Sequence, residues 1–195
     1  FNGGSALAAN GLAANALMVT HVAAAAAGLS WAAIEWVALK RPTVLGMISG
    51  VVAGLVAITP AAGFVDAIGA LLIGIGSGAI CYLFVTFIKA RLGYDDSLDA
   101  FGIHGVGGIW GALATGLWAT KSVNPGGADG LFYVNPQLLG VQATAVAVSA
   151  LFSFAASWAI FKVVDSWMGL RVTEHEERVG LDLTQHSETG YTIID

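Results

Sequence analysis

The 195 residues predict an all-α integral membrane protein, a multi-span bundle of helices. Three observations predict it. The chain is 56% hydrophobic and only 11% charged, against roughly 25% charged residues in an ordinary soluble domain. Five apolar stretches, 12–39, 44–62, 67–88, 98–119 and 138–164, match the length of about 20 residues that a helix needs to cross the hydrocarbon of a bilayer. Between them stand turn-forming clusters: Lys40-Arg41-Pro42, Ala62-Gly63-Phe64, Gly93-Tyr94-Asp95-Asp96 and Asn124-Pro125-Gly126-Gly127. Lipid offers the backbone no hydrogen bonds, so a segment that crosses it must satisfy its own, as a helix does.

The first stretch is rich in alanine and carries two polar groups. His21 reads as a packing histidine, and Glu35, close to Lys40 and Arg41, reads as one member of an interfacial charge pair. The second stretch holds two successive GxxxG steps, Gly46, Gly50 and Gly54; the third has Gly74 and Gly78, the fourth Gly107 and Gly111. Small residues at this spacing let helix backbones approach closely in lipid. The single cysteine, Cys81, lies inside the third stretch and by itself builds neither a disulfide nor a metal cluster. Trp36, Trp118 and Trp167 fall near predicted span ends, the usual depth for interfacial tryptophan.

Loop charge predicts the orientation. With five crossings, Lys40 and Arg41, Lys89 and Arg91, and the group Lys162, Arg171 and Arg178 all fall on one side, while the opposite loops offer only Lys121. Basic loops favour the cytoplasmic face, so Phe1 is expected outside and the tail inside. The formal net charge is -5 and the basic residues are scattered, which gives no surface for nucleic acid. The chain starts at Phe1 with no basic-then-apolar leader, and a preceding part of the polypeptide is expected.

The most informative run is FGIHGVGGIW, Phe101 to Trp110. At 3.6 residues per turn, His104 would share a face with Ala100, Gly107, Gly108 and Gly111, so its ring would stand beside open space. Either a neighbouring helix packs there and offers one hydrogen bond, or a small polar guest passes. A neutral imidazole, with one donor and one acceptor nitrogen, suits such a guest better than an unescorted cation. His21, His175 and His186 lie on other segments with no partner at ligand spacing, so no metal site is expected. Asp99, together with Asp95 and Asp96, reads as a helix start near the inner mouth. No nucleophile and base pair and no cofactor loop stands out, so neither an enzyme nor a cofactor is expected.

Three segments taken together carry a family resemblance. FNGGS (Phe1 to Ser5), DDSLDAFGIHGVGGIWG (Asp95 to Gly111) and GLRVTEHEERVGLDLTQHSETGY (Gly169 to Tyr191) resemble the Amt/Mep/Rh ammonium transporters, most closely the prokaryotic Amt branch, in order and with matching spacing. The resemblance implies a homotrimer of an eleven-helix, inverted-repeat protomer with its own narrow apolar pore. This chain would be the second half: 1–168 the membrane domain, from the end of helix 6 through helices 7–11, and 169–195 a cytoplasmic tail. It further implies that Phe1 is a gate phenylalanine above the pore and that Ser5 accepts a hydrogen bond from ammonium at the outer vestibule. His104 would be the second of two pore histidines, and Asp99 an acidic residue near the inner end of the tenth helix. A PII-type regulator would engage the cytoplasmic face, including the tail from Gly169 to Asp195. The family's other pore histidine, vestibule tryptophan, second gate phenylalanine and buried aspartate all belong to the first half.

The expected function is ammonium or ammonia transport across the cytoplasmic membrane. Ammonium would lose its proton at the vestibule, and ammonia would pass an apolar pore lined by histidine. The alternative is an ammonium sensor built on the same fold; a tail that ends at Asp195 with no signalling domain favours the transporter.

Overall fold

The computed structural model describes residues 1–190, and every regular element among them is helical. The last five residues of the expected tail, 191–195, lie outside the described residues. Five apolar helices follow one another: α1, Gly11–Leu39; α2, Val44–Ile58; α3, Ala67–Leu92; α4, residues 101–118; and α5, Pro136–Met168. Two short helices, α6 (Glu174–Val179) and α7 (Leu181–Thr184), follow. The chain forms two compact units, Phe1–Ala147 and Val148–Asp195.

The starts of α1, α2 and α3 are each capped by the side chain before them. Asn10 accepts from the Ala13 amide at 3.0 Å, Thr43 from Gly46 at 2.9 Å and Asp66 from Gly69 at 2.8 Å, which satisfies amides that lack an intrahelical partner. Two expected spans are shorter or less apolar than the sequence suggested. Among the described residues, only α1, α3 and α5 are both long and apolar enough to cross a membrane by themselves. The second span stops at Ile58 rather than Ala62: Pro60 has no N–H for the helical ladder, and the amides of Ala61 and Ala62 both turn back onto the Ile58 carbonyl at 2.9 and 2.8 Å. At 1.5 Å per residue α2 is about 22 Å long. In α4, the glycines and His104 dilute the apolar character.

The helices of the first unit alternate in direction, so the bundle has two distinct ends. At one end, Asn15 of α1 donates to the carbonyls of Ala62 and Val65 at 3.3 and 3.1 Å, and the Thr120 amide donates to Phe64 at 2.8 Å. At the other end, Glu35 of α1 meets Thr43 and Lys89 of α3 meets Asp99. The basic residues of the first unit's loops segregate as the sequence indicated, with Lys40, Arg41, Lys89 and Arg91 at this second end and Lys121 at the first.

Small residues bring the backbones together. A Cβ added at Gly54 would sit 2.6 Å from the Ala23 carbonyl oxygen, and one added at Gly50 2.6 Å from Trp31 Cβ. At Gly74, Gly78 and Gly111 it would fall on the carbonyls of Ala23, Ala27 and Ala57. The glycine spacing thus serves packing of α1 against α2 and α3, and of α2 against α4. Side chains then tie helices to neighbouring backbones: Ser77 donates to the Ala53 carbonyl at 2.7 Å, Ser30 to Ile75 at 2.9 Å and Trp110 Nε1 to Ile73 at 3.0 Å.

Two segments of the bundle are wound more widely than an α-helix. Phe84–Ile88 in α3 and Phe101–Gly105 at the start of α4 are π turns, in which the amides of Lys89 and Val106 reach back five residues to the carbonyls of Phe84 and Phe101. The two turns touch where Gly102 faces Val85, leaving too little room for a Cβ (2.7 Å to Val85 Cγ2).

The second unit contains the later turns of α5 and the helices α6 and α7. Thr173 and Glu176 form a reciprocal capping box at the start of α6. The Arg171 guanidinium holds Glu177 through two hydrogen bonds, at 2.6 and 3.1 Å, and Arg178 pairs with Glu174.

Candidate functional site

Phe1 and Ser5 are brought together; His104 and Asp99 stand at the other end of the bundle. The start of the chain folds into a tight turn in which the Ser5 amide and hydroxyl both donate to the Phe1 carbonyl, at 3.0 and 3.1 Å. Asn2 anchors this turn to α1 by donating from Nδ2 to the Thr20 hydroxyl at 3.0 Å. The hydroxyl proton of Ser5 is therefore committed to a carbonyl, and the oxygen's lone pairs are left to accept. Phe1 is 98% exposed.

Both residues line a cavity of about 380 Å³, which they share with Leu12, Pro60, Phe64 and Asn124 among others. Its lining brings two phenylalanines together with the hydroxyl-bearing Ser5 and Thr59 and the amide-bearing Asn2 and Asn124. Phe64 and Asn124 were missed by sequence reasoning because they sit in the connecting loops and were read as turn residues. Their placement follows from the Thr120–Phe64 backbone hydrogen bond, a contact between loops that local pattern does not encode.

His104 is exposed and occupies the first turn of α4, inside the π segment. This corrects the helical-wheel reading. The five-residue turn breaks the 3.6 period between Phe101 and Val106, so His104 does not share one open stripe with all the glycines that follow. Gly107 and Gly111 are buried against α2 and α3, Gly107 beside Cys81 Sγ and Val56, Gly111 on Ala57. Gly108 alone of the three faces open space, with nothing within 4 Å of an added Cβ.

Asp99 has a left-handed backbone, φ 56°, unusual for a residue with a side chain. Its carboxylate takes the Lys89 ammonium at 2.6 Å, and Lys89 also donates to the Asp96 carbonyl at 2.7 Å. The Asp96 carboxylate accepts from the amides of Phe101 and Gly102 at 3.1 to 3.2 Å, which caps α4. Asp96, rather than Asp99, is thus the helix-start residue, and Asp99 is an ion-pair partner.

Two other expectations change. Glu35 is 7% exposed and accepts from the Thr43 amide and hydroxyl at 2.8 and 3.0 Å, rather than pairing with Lys40 or Arg41. His21 is exposed and bonds only within its own helix, Nδ1 lying 2.8 Å from the Leu17 carbonyl oxygen. Cys81 is buried among packing residues without a disulfide partner, 3.9 Å from both the Ser77 hydroxyl and the Ile103 carbonyl. Among the described residues no group of three or more His, Cys, Asp or Glu side chains is close enough to share a metal ion.

The family model described as the Ammonium Transporter Family matches residues 1–191. The chain belongs to that family. It is 52% identical over 191 residues to an ammonium transporter of Bacillus subtilis, covering 98% of this chain and 47% of that protein. It is also 52% identical over 193 residues to the ammonium transporter Amt1 of Archaeoglobus fulgidus, covering 98% and 48%. The chain therefore spans about half the length of these curated relatives. Among solved structures, Saccharomyces cerevisiae Mep2 matches with a TM-score of 0.84 at 35% identity, over 89% of this chain and 40% of that one. A structure described as a sensor Amt protein matches with a TM-score of 0.82 at 32% identity, over 94% and 44%. The helices described above thus have the arrangement of the ammonium transporter fold, an all-α membrane architecture.

Proposed function

We propose that this chain forms one wall of an ammonium transport path. The carrying observation is the cavity in which Phe1 and Ser5 meet, at the opposite end of the bundle from the loops rich in lysine and arginine. In this reading ammonium exchanges part of its hydration water for the Ser5 oxygen and the ring faces of Phe1 and Phe64. Carrying the bare cation further into an apolar path costs several kcal/mol. Loss of its proton to water on the Phe1 side, leaving hydronium outside and neutral ammonia to enter, removes that cost. Ammonia then moves past His104, which offers a hydrogen bond from its exposed ring, with the open side of Gly108 leaving room beside it.

The protein is proposed to lie in the cytoplasmic membrane, with Phe1 outside and the basic loops inside, as loop charge favours. A homotrimeric assembly and a PII-type regulator at the cytoplasmic face, including the tail, belong to the same reading. Membership of a transporter family supports transport rather than catalysis.

A sensor reading is favoured by one observation, the match to the sensor Amt structure. Both readings are tested by an ammonium pulse applied to proteoliposomes holding the protein, beside its His104→Ala variant. A saturable current lost or reshaped in the variant supports ion-coupled transport through the histidine. Internal alkalinisation without current supports passage of neutral ammonia. Ammonium binding with neither signal favours the sensor and overturns the transport reading.

A further inference from the structure

The residues around the start of α4 form a linkage that the pore reading does not use. Lys89 follows directly on the π turn of α3, and its ammonium crosses to the segment that precedes the π turn of α4. There it holds two points at once: the Asp99 carboxylate at 2.6 Å and the Asp96 carbonyl at 2.7 Å. Asp96 in turn accepts the amides of Phe101 and Gly102. Asp99 is kept in a left-handed conformation that a residue with a Cβ adopts only when its surroundings hold it there. Each of these contacts bears on the turn that carries His104.

We propose that Lys89 is a positioning residue for His104, fixing through Asp99 and Asp96 the way α4 begins and therefore the direction in which the His104 ring points. The physical reason is economy of constraint. A π turn is a marginal winding that side chains must hold in place, and a helix start is set by the residue that occupies its first free amides. Val85 against Gly102 fixes the distance between the two turns; the Lys89 links fix their rotation. When those links are lost, Asp99 is free to relax from φ 56°, the first turn of α4 can rewind, and His104 moves round the helix. The Phe1 and Ser5 cavity at the other end is untouched.

This inference rests on the transport reading only for its flux assay. The test uses the protein as its gene encodes it, in nanodiscs and proteoliposomes, as wild type, Lys89→Met, Lys89→Arg and Asp99→Asn. Glu35→Gln serves as a control, because it weakens another link at the same end without touching α4. One readout is the ratio of methylammonium to ammonium flux, which does not depend on how many molecules are active. The other is the ¹⁵N resonances of the His104 ring, assigned by their absence in His104→Gln.

The expected result is a several-fold change in the flux ratio and displaced His104 ring signals in Lys89→Met. Lys89→Arg should restore both, and Glu35→Gln should lower thermal stability with both unchanged. Folded Lys89→Met with the wild-type ratio and wild-type ring signals overturns the proposal. Should Lys89→Met not fold, Asp99→Asn decides it by the same criteria. Should the wild type move neither ion, the transport reading fails, and the ring signals alone decide the role of Lys89.

Discussion

The Glu35 carboxylate receives both the backbone N–H and the hydroxyl of Thr43, at 2.8 and 3.0 Å, and Thr43 in turn caps α2 through Gly46 at 2.9 Å. One buried acid near the end of α1 thereby fixes how the chain turns into α2. Hydrogen bonds to a charged acceptor contribute about 1.5–3 kcal/mol each, and an orphaned buried donor costs a similar amount. Glu35→Ala should therefore destabilise the bundle by about 2–4 kcal/mol, with Glu35→Gln losing less. Reversible unfolding in mixed micelles measures both; equal stability of Glu35→Ala and wild type would falsify the role given to this pair.

Gly108 and Gly111 share one helix but face different surroundings. An added methyl at Gly111 falls on the Ala57 backbone, whereas at Gly108 nothing lies within 4 Å. Overpacking of this kind costs about 1–3 kcal/mol, so Gly111→Ala should lower the folded yield after solubilisation. Gly108→Ala should leave it unchanged. Size-exclusion profiles of the two variants, run side by side, show whether the order is as stated or reversed.

Ser5 spends its proton on the Phe1 carbonyl and keeps its lone pairs. If Ser5 recruits ammonium as proposed, Ser5→Ala should raise the ammonium concentration needed for half-maximal flux several-fold and leave the maximal flux nearly unchanged. Ser5→Thr should behave as wild type. A fall in maximal flux at constant half-saturation would place Ser5 elsewhere in the process.

The capping box of α6 is sensitive to acid. Hydrogen bonds from Thr173 to the Glu176 carboxylate hold its pKa below the ordinary 4.5, and amide donors from Gly190 and Leu183 hold Asp182 below 3.8. Both groups bind protons less readily folded than unfolded, so their stabilising contribution is complete above those ordinary values. It is lost as pH falls through the lower folded ones. Thr173→Ala should bring Glu176 back toward 4.5 and fray α6. Carboxyl ¹³C titration of the labelled protein reads the shift, and an unmoved Glu176 curve in Thr173→Ala refutes the assignment.

Much of the fold was legible because its signals are local. Runs of apolar residues bounded by Pro42, Gly63, Gly93 and Pro125 located all five helices, and the small-residue steps at Gly50, Gly54, Gly74 and Gly78 foretold close packing. Span ends were less legible: Ile58 rather than Ala62 closes α2 because the following turn is as apolar as the helix. The π turns left no mark at all, since FVTFI and FGIHG read equally well as α-helix. The wheel drawn through His104 consequently joined Gly107 and Gly111 to a face they do not share. Glu35 was paired by proximity in sequence with Lys40 and Arg41, whereas desolvation at the helix joint favoured the nearby amide and hydroxyl of Thr43. The Lys89–Asp99 pair leaves no sequence signal, because nothing in a one-dimensional pattern says which lysine faces which carboxylate across a turn.

The π turn of α4 amounts to one residue more than a regular helix would need, and it turns everything beyond Val106 by about 100° relative to what precedes it. Two design problems are thereby separated within a single helix. The stretch after Val106 can be optimised for gap-free contact with α2 and α3, while the side that His104 presents is set within the π turn itself. Removing one residue from 101–105 would fuse the two problems again, and the helix could then satisfy its neighbours or aim its histidine, but not both.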